Sequence, residues 1–201
     1  MSPEFLFTAF IVCLVPGIGV VYTLSSTLGQ GFRAGLWASL GCTIATLVHL
    51  AVALGGLAAV LHTSALLFQT IKYAGVAYLL YMAWGTLKGT GGLALEAAAP
   101  QSTLTLIWRG IILNLLNPKL PLFFVAFLPQ FMAVNDGPFV MAELGVVFAV
   151  LTFLTFLGYT ALAASDRHPV LSHPTALASL QQAITNSFAP LALRLPSARA
   201  R

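Results

Sequence analysis

Apolar side chains run along this chain in long continuous stretches. They show neither the alternation of a half-buried strand nor the one-sided period of a surface helix. Five stretches stand out, at about residues 5–28, 36–61, 65–87, 110–133 and 139–164. The hydrocarbon core of a bilayer, roughly 30 Å thick, takes about 20 residues of helix to cross, and each stretch is long enough. In lipid a segment must satisfy its own backbone N–H and C=O groups, which a helix does internally. The pattern predicts an all-α fold: a polytopic membrane helix bundle with five clear transmembrane helices.

The pattern changes after Ala164. The best remaining apolar run, residues 176–195, is interrupted by Gln181, Gln182, Asn186, Pro190 and Arg194. It makes a poor sixth span and reads as an interfacial amphipathic helix or a disordered tail. The expected organisation is a transmembrane domain over 1–164 followed by an atypical tail over 165–201. Gly91, Gly92 and the small residues up to Pro100 mark a linker at 89–109 between halves at 1–88 and 110–164.

Composition narrows the class. Of the 201 residues, 59% are hydrophobic and 7% charged, against about 25% charged in soluble domains. A mean hydropathy of +0.93 agrees, and together they argue against a soluble enzyme and a nucleic-acid binder. The net charge of +4 comes from singly scattered bases. Arg33 lies in the segment 29–35, and Lys88 and Arg109 border the linker, whereas segments 62–64 and 134–138 carry no base. The positive-inside rule then puts the N-terminus outside and the Arg33 and Lys88–Arg109 loops in the cytoplasm. The first stretch lacks a basic leader and is too long for a signal peptide, so it is expected to stay as a span. Cys13 and Cys42 sit inside apolar runs without ligand spacing. No metal or cofactor motif and no convergent nucleophile–base set is visible, so neither a cofactor nor an enzyme activity is expected.

Candidate chemistry lies where helices should break. Pro16 has no N–H for the carbonyl of Val12, and Gly17 lets the backbone bend. In the fourth stretch, Asn114-Leu115-Leu116-Asn117-Pro118-Lys119-Leu120-Pro121, Pro118 and Pro121 remove the donors for the carbonyls of Asn114 and Asn117. Two freed carbonyls and two side-chain amides should share one side of a kinked helix. In hydrocarbon such groups are tolerated only against protein or a wet cavity. Packing kinks are the plain alternative. Yet the interruptions lie one in each half, as at the substrate site of a repeat-built transporter, here a 3+3 inverted repeat.

Lys119, about 14 Å into its span at the helical rise, is expected to face the bundle, where a substrate carboxylate or the freed carbonyls could meet its ammonium. A zwitterion's carboxylate would meet Lys119 and N–H groups near Pro16-Gly17, and its ammonium the carbonyls and amides of Asn114 and Asn117. No carboxylate is embedded mid-span, so His49, Lys72 and Gln130 are the candidates for a proton relay or pathway. Each also has a plainer reading: a buried histidine bonded to a neighbour, a snorkelling lysine, and a glutamine capping its helix. Small residues at four-residue spacing, Gly31/Gly35 and Gly41/Ala45 among them, suit close helix contact.

Residues 114–131 (NLLNPKLPLFFVAFLPQF) and 71–88 (IKYAGVAYLLYMAWGTLK), with Pro16-Gly17 and Gly31-Phe32-Arg33-Ala34-Gly35, closely resemble signatures of the LysE/RhtB family of amino-acid exporters. The resemblance implies a small multi-pass protein of the bacterial inner membrane. It would export amino acids or derivatives such as threonine, homoserine or homoserine lactone, driven by the proton gradient. Its implied partners are the amino-acid substrate, the lipid bilayer and a second copy in a homodimer, with no nucleic acid. Two departures stand out. Ile18 replaces the second proline of the family's PGP motif, and the tail reads like an unrelated or frame-shifted terminus. That tail keeps an alternative open, a degenerate or non-transporting membrane scaffold.

Overall fold

The computed structural model describes residues 2–15, 17–61, 70, 99–133 and 135–165. Pro16, Lys72, the stretch at 65–87 apart from residue 70, linker residues 89–98 and tail residues 166–201 lie outside the described residues. All described elements are helical: α1 (Pro3–Leu14), α2 (Ile18–Gln30), α3 (Phe32–Leu61), α4 (Thr103–Leu115), α5 (Lys119–Leu122) and α6 (Pro138–Ser165). Beyond α5 the chain loosens into one π turn, Phe123–Phe127, where the N–H of Leu128 reaches back to the carbonyl of Phe123. It then tightens into a 3₁₀ turn, Leu128–Phe131. Pro129 cannot donate to the preceding turn, and such local rewinding is how a helix absorbs the gap.

Two helices, 32–56 of α3 and the whole of α6, are each long and apolar enough to cross a membrane. Two further spans follow if each bent pair is counted as one: α1 with α2 (56°), and α4 with Lys119–Phe131 (54°). The expectation of five clear spans is thus met by up to four among the described residues. The stretches at 5–28 and 110–133 are each a broken pair rather than one helix. The fourth also starts earlier than its apolar run, at Thr103, because Ser102 accepts from the N–H of Thr105 and caps the helix. Arg109, expected in a loop, therefore lies within α4 on an exposed face.

The segment 29–35 is equally tight. Gly31 alone separates α2 from α3, with φ at 87°, a conformation that favours glycine; its N–H bonds the carbonyl of Thr27 at 2.7 Å. The Gln30 amide oxygen accepts from the N–H of Gln101 at 3.0 Å, and its Nε2 donates to the carbonyl of Ala99 at 3.4 Å. The α2–α3 turn and the lead-in to α4 therefore share one end of the bundle.

In lipid, helices gain little from burying apolar surface, so close packing and hydrogen bonds hold them together. α3 packs against α4, α6 and α2. A methyl on Gly110 would lie 2.8 Å from the carbonyl of Ala38, and one on Gly41 would overlap the carbonyl of Ile107. Backbone thus meets backbone at the α3–α4 crossing. The core falls into two apolar clusters. One gathers Phe5, Phe123, Phe124, Phe127, Met141 and Phe148, with Phe123 and Phe148 stacked at 3.9 Å between ring centres. The other gathers Val20, Leu24, Ala38, Leu106, Phe156 and Tyr159. The helix breaks, with their polar groups, lie where the two clusters meet.

Candidate functional site

The ends of α1 and α2 flank the first break. α1 stops because residue 16 is a proline, and the carbonyls that a continuing helix would satisfy need other donors. Lys119 supplies them: its Nζ donates to the carbonyl of Val12 at 2.5 Å and to that of Val15 at 3.0 Å. The Tyr159 hydroxyl donates to the carbonyl of Leu14 at 2.7 Å. Across the break, Gly17 begins α2 with φ −117° and ψ −172°, and no side chain caps the first N–H groups of that helix. An α-helix carries partial negative charge at its last carbonyls and partial positive charge at its first amides. The two opposite ends face this point within a few residues of each other.

The second break is served from within. Asn114 and Asn117 are buried, 2% and 5% exposed. Asn114 Nδ2 donates to the carbonyl of Cys42 at 2.8 Å, and Asn117 Nδ2 to Asn114 Oδ1 at 3.1 Å. Asn117 Oδ1 accepts from the N–H of Lys119 at 3.1 Å, starting α5. The two carbonyls that the prolines deprive are not free, contrary to expectation. That of Asn114 accepts from the N–H of Asn117 at 3.2 Å and lies 3.3 Å from His49 Nε2; that of Asn117 accepts from the N–H of Leu120 at 3.3 Å. The chain replaces each missing i−4 bond by an i−3 bond, at the cost of the bend.

A small cavity of about 20 Å³ lies between the breaks, lined by Val15, Gly17, Gly19, Asn117 and Lys119 and closed from α6 by Thr152 and Phe156. That is room for about one water. Cys13 also lines it, its thiol 3.4 Å from the Thr152 hydroxyl. The space free beside these groups is narrow.

Of the residues singled out from sequence, the structure brings Gly17, Asn114, Asn117 and Lys119 together around the cavity, with Pro118 at the bend and His49 against the Asn114 carbonyl. Gln130 is elsewhere: its Nε2 donates to the carbonyl of Ala126 in its own turn at 2.8 Å. Pro16 and Lys72 lie outside the described residues. The sequence did not point to Tyr159 or Thr152. The available signal was a phenol and a hydroxyl inside apolar helix, where each needs a partner.

Apolar helices broken twice around a shared point are an arrangement also used at the substrate sites of repeat-built transporters. The LysE type translocator family matches residues 10–195, and the chain belongs to that family. The match continues over most of residues 165–201. The chain is 31% identical over 200 residues to an uncharacterized membrane protein of Vibrio cholerae, covering 98% of this chain and 96% of that one. It is 34% identical over 162 residues to a leucine efflux protein of an Enterobacter species, covering 75% of each. It is 28% identical over 197 residues to a homoserine/homoserine lactone efflux protein of Salmonella typhimurium, covering 97% and 95%. No solved structure matches the chain.

Proposed function

We propose that this protein is a secondary transporter that exports amino acids or small derivatives, of the leucine, threonine or homoserine type, across the bacterial inner membrane. One observation carries the reading. The first break presents the carbonyl end of α1 and the uncapped amide end of α2 to one small cavity, a pairing complementary to a zwitterion. The carboxylate binds at the start of α2, beside Gly17 and the Asn117 amide; the ammonium binds on the carbonyl side. Half-helix ends serve anionic and cationic groups in this way at repeat interfaces of transporters. The similar bends of the two pairs, and the names of the efflux relatives, support it. Rocking one half against the other opens the cavity alternately to each side.

The charge-based orientation has the N-terminus outside. Two placements support it: the Arg33 turn and the lead-in to α4 share one end of the bundle. A cavity of about 190 Å³ at another place joins Ser2 and Phe5 to Phe131, Asp136 and Glu143, bringing together the segments expected outside. The proton gradient drives export, with His49 at the Asn114 carbonyl the relay candidate within the described residues. Two copies form the working unit.

The test is efflux of radiolabelled leucine, threonine or homoserine from loaded cells carrying the protein. Efflux no faster than in cells without it would favour a non-transporting scaffold. Gly17→Val sharpens the placement. The backbone there suits any residue, and among the described residues a Cβ meets only Asn117 Nδ2 at 3.5 Å, so the variant should fold while its side chain occupies the cavity. Export should fall by about tenfold or more, roughly 1.4 kcal/mol, at unchanged membrane abundance. A Gly17→Val protein that exports at the parental rate would remove this site.

A further inference from the structure

Of the two partners the sequence allows the Lys119 ammonium, the structure shows the carbonyls: it donates to those of Val12 and Val15. This inference rests on the export reading above and concerns the same site. We infer that the carbonyls of Val12 and Val15 are the subsite for the substrate's ammonium, and that the Lys119 ammonium is a built-in stand-in that fills it when no substrate is bound.

Three observations lead there. The Val12 and Val15 carbonyls are held by one ammonium at 2.5 and 3.0 Å, the contact a substrate −NH₃⁺ would make. They lie at the negative end of α1, a short distance from the uncapped start of α2 where a carboxylate fits. Second, with Nζ in place the cavity holds about one water, less than an amino acid needs, and Nζ occupies the carbonyls its ammonium would meet. Third, Lys119 is anchored at its base and carries its ammonium on a long flexible stem. Its N–H is held by Asn117 Oδ1, while four methylenes carry the ammonium across to the other broken pair.

The consequence concerns the return step. An exporter that releases its cargo outside must turn back without an amino acid in the site. Carbonyls buried without a donor would oppose closure of the empty carrier. With Lys119 as stand-in, one ammonium replaces another on the same carbonyls, which stay satisfied in both the empty and the loaded carrier. Net export then needs no counter-substrate.

The test compares two rates in proteoliposomes loaded with radiolabelled leucine, threonine or homoserine. Net efflux is read into substrate-free medium, and exchange into medium holding the same amino acid unlabelled. In the parent the two rates should agree within about threefold, since the empty carrier returns readily. In Lys119→Met exchange should persist while net efflux drops by about tenfold or more, the scale of a lost hydrogen bond to a charged group. Lys119→Arg keeps a cation on the carbonyls and should retain both modes. Parental exchange that exceeds net efflux about tenfold or more would overturn the inference whatever the variants do. So would equal loss of both modes in Lys119→Met at normal abundance, or no loss of either. If Lys119→Met does not accumulate, loss of net efflux alone in Lys119→Arg overturns it. A parent that moves none of the three amino acids rejects the export reading itself, and the stand-in with it; a parent that exports while the ratios fail rejects only the stand-in.

Discussion

The two helix breaks bend by nearly the same angle, 56° and 54°, yet they satisfy their backbones in opposite ways. Around the first, Val15, Pro16 and Gly17 offer no polar side chain. Its carbonyls are served from afar, by Lys119 from α5 and Tyr159 from α6. The second carries Asn114, Asn117 and Lys119 in its own sequence. It closes its gaps locally and lends its lysine to the first. A break without polar side chains is one whose backbone another donor can occupy, and so suits a visiting ligand. A break with its own amides is scaffold. Under the proposed function, the asymmetry assigns the exchangeable contacts to the first break and the permanent ones to the second.

The largest effect on stability should follow from cutting the permanent set. Asn114→Ala removes the bond to the Cys42 carbonyl and strands the Asn117 amide, both buried where α3, α4 and α5 meet. Unsatisfied buried groups cost about 1–3 kcal/mol each, although polar contacts between membrane helices often measure less. A loss of about 2–3 kcal/mol is expected, read from thermal or denaturant unfolding in detergent. A loss no larger than that of Tyr159→Phe would break the contrast between the two sites.

A smaller effect sharpens it. Tyr159→Phe removes one hydrogen bond, to the Leu14 carbonyl, and should cost about 1 kcal/mol. Tyr159 and Lys119 hold carbonyls of the same break, so Tyr159→Phe combined with Lys119→Met should depart from additivity by about 0.5 kcal/mol or more. Tyr159→Phe with Asn117→Ala should add within about 0.5 kcal/mol. Equal coupling in both pairs would mean that the breaks form one network.

What the sequence made legible were groups that the chain's covalent structure forces into need. Pro16 deprives the Val12 carbonyl of its donor, an ammonium at 119 must find acceptors, and both could be stated without coordinates; the meeting of the two could be offered only as one option. Asn114 and Asn117 were expected on one side of a bend, and their side-chain amides bond each other at 3.1 Å. Their carbonyls were expected to stay open, because proline's effect was counted at i−4 and the relaxation to i−3 bonds depends on packing. Tyr159 was not legible: its acceptor lies 145 positions away in the chain, and nothing local ties a phenol in α6 to the end of α1. The start of α4 was missed because Arg109 counted as loop, although Ser102 was a usable N-cap signal. The apolar stretches themselves were legible because lipid leaves the backbone so few choices.

The smallest expected effect marks the limit of the site. Gln130 was a pathway candidate because it is polar, follows Pro129 and sits near the end of an apolar stretch. Its amide is engaged with the Ala126 carbonyl of the same turn, in a part-buried position on the 3₁₀ segment beyond the aromatic cluster of Phe123, Phe124 and Phe127. Gln130→Ala gives up a local bond that the π and 3₁₀ windings can relax around, so stability should change by no more than about 0.5 kcal/mol. Net efflux and exchange should both stay at parental rates. A clear loss of export at unchanged abundance would extend the transport path beyond the aromatic cluster. The cavity at the breaks would then be one station on that path.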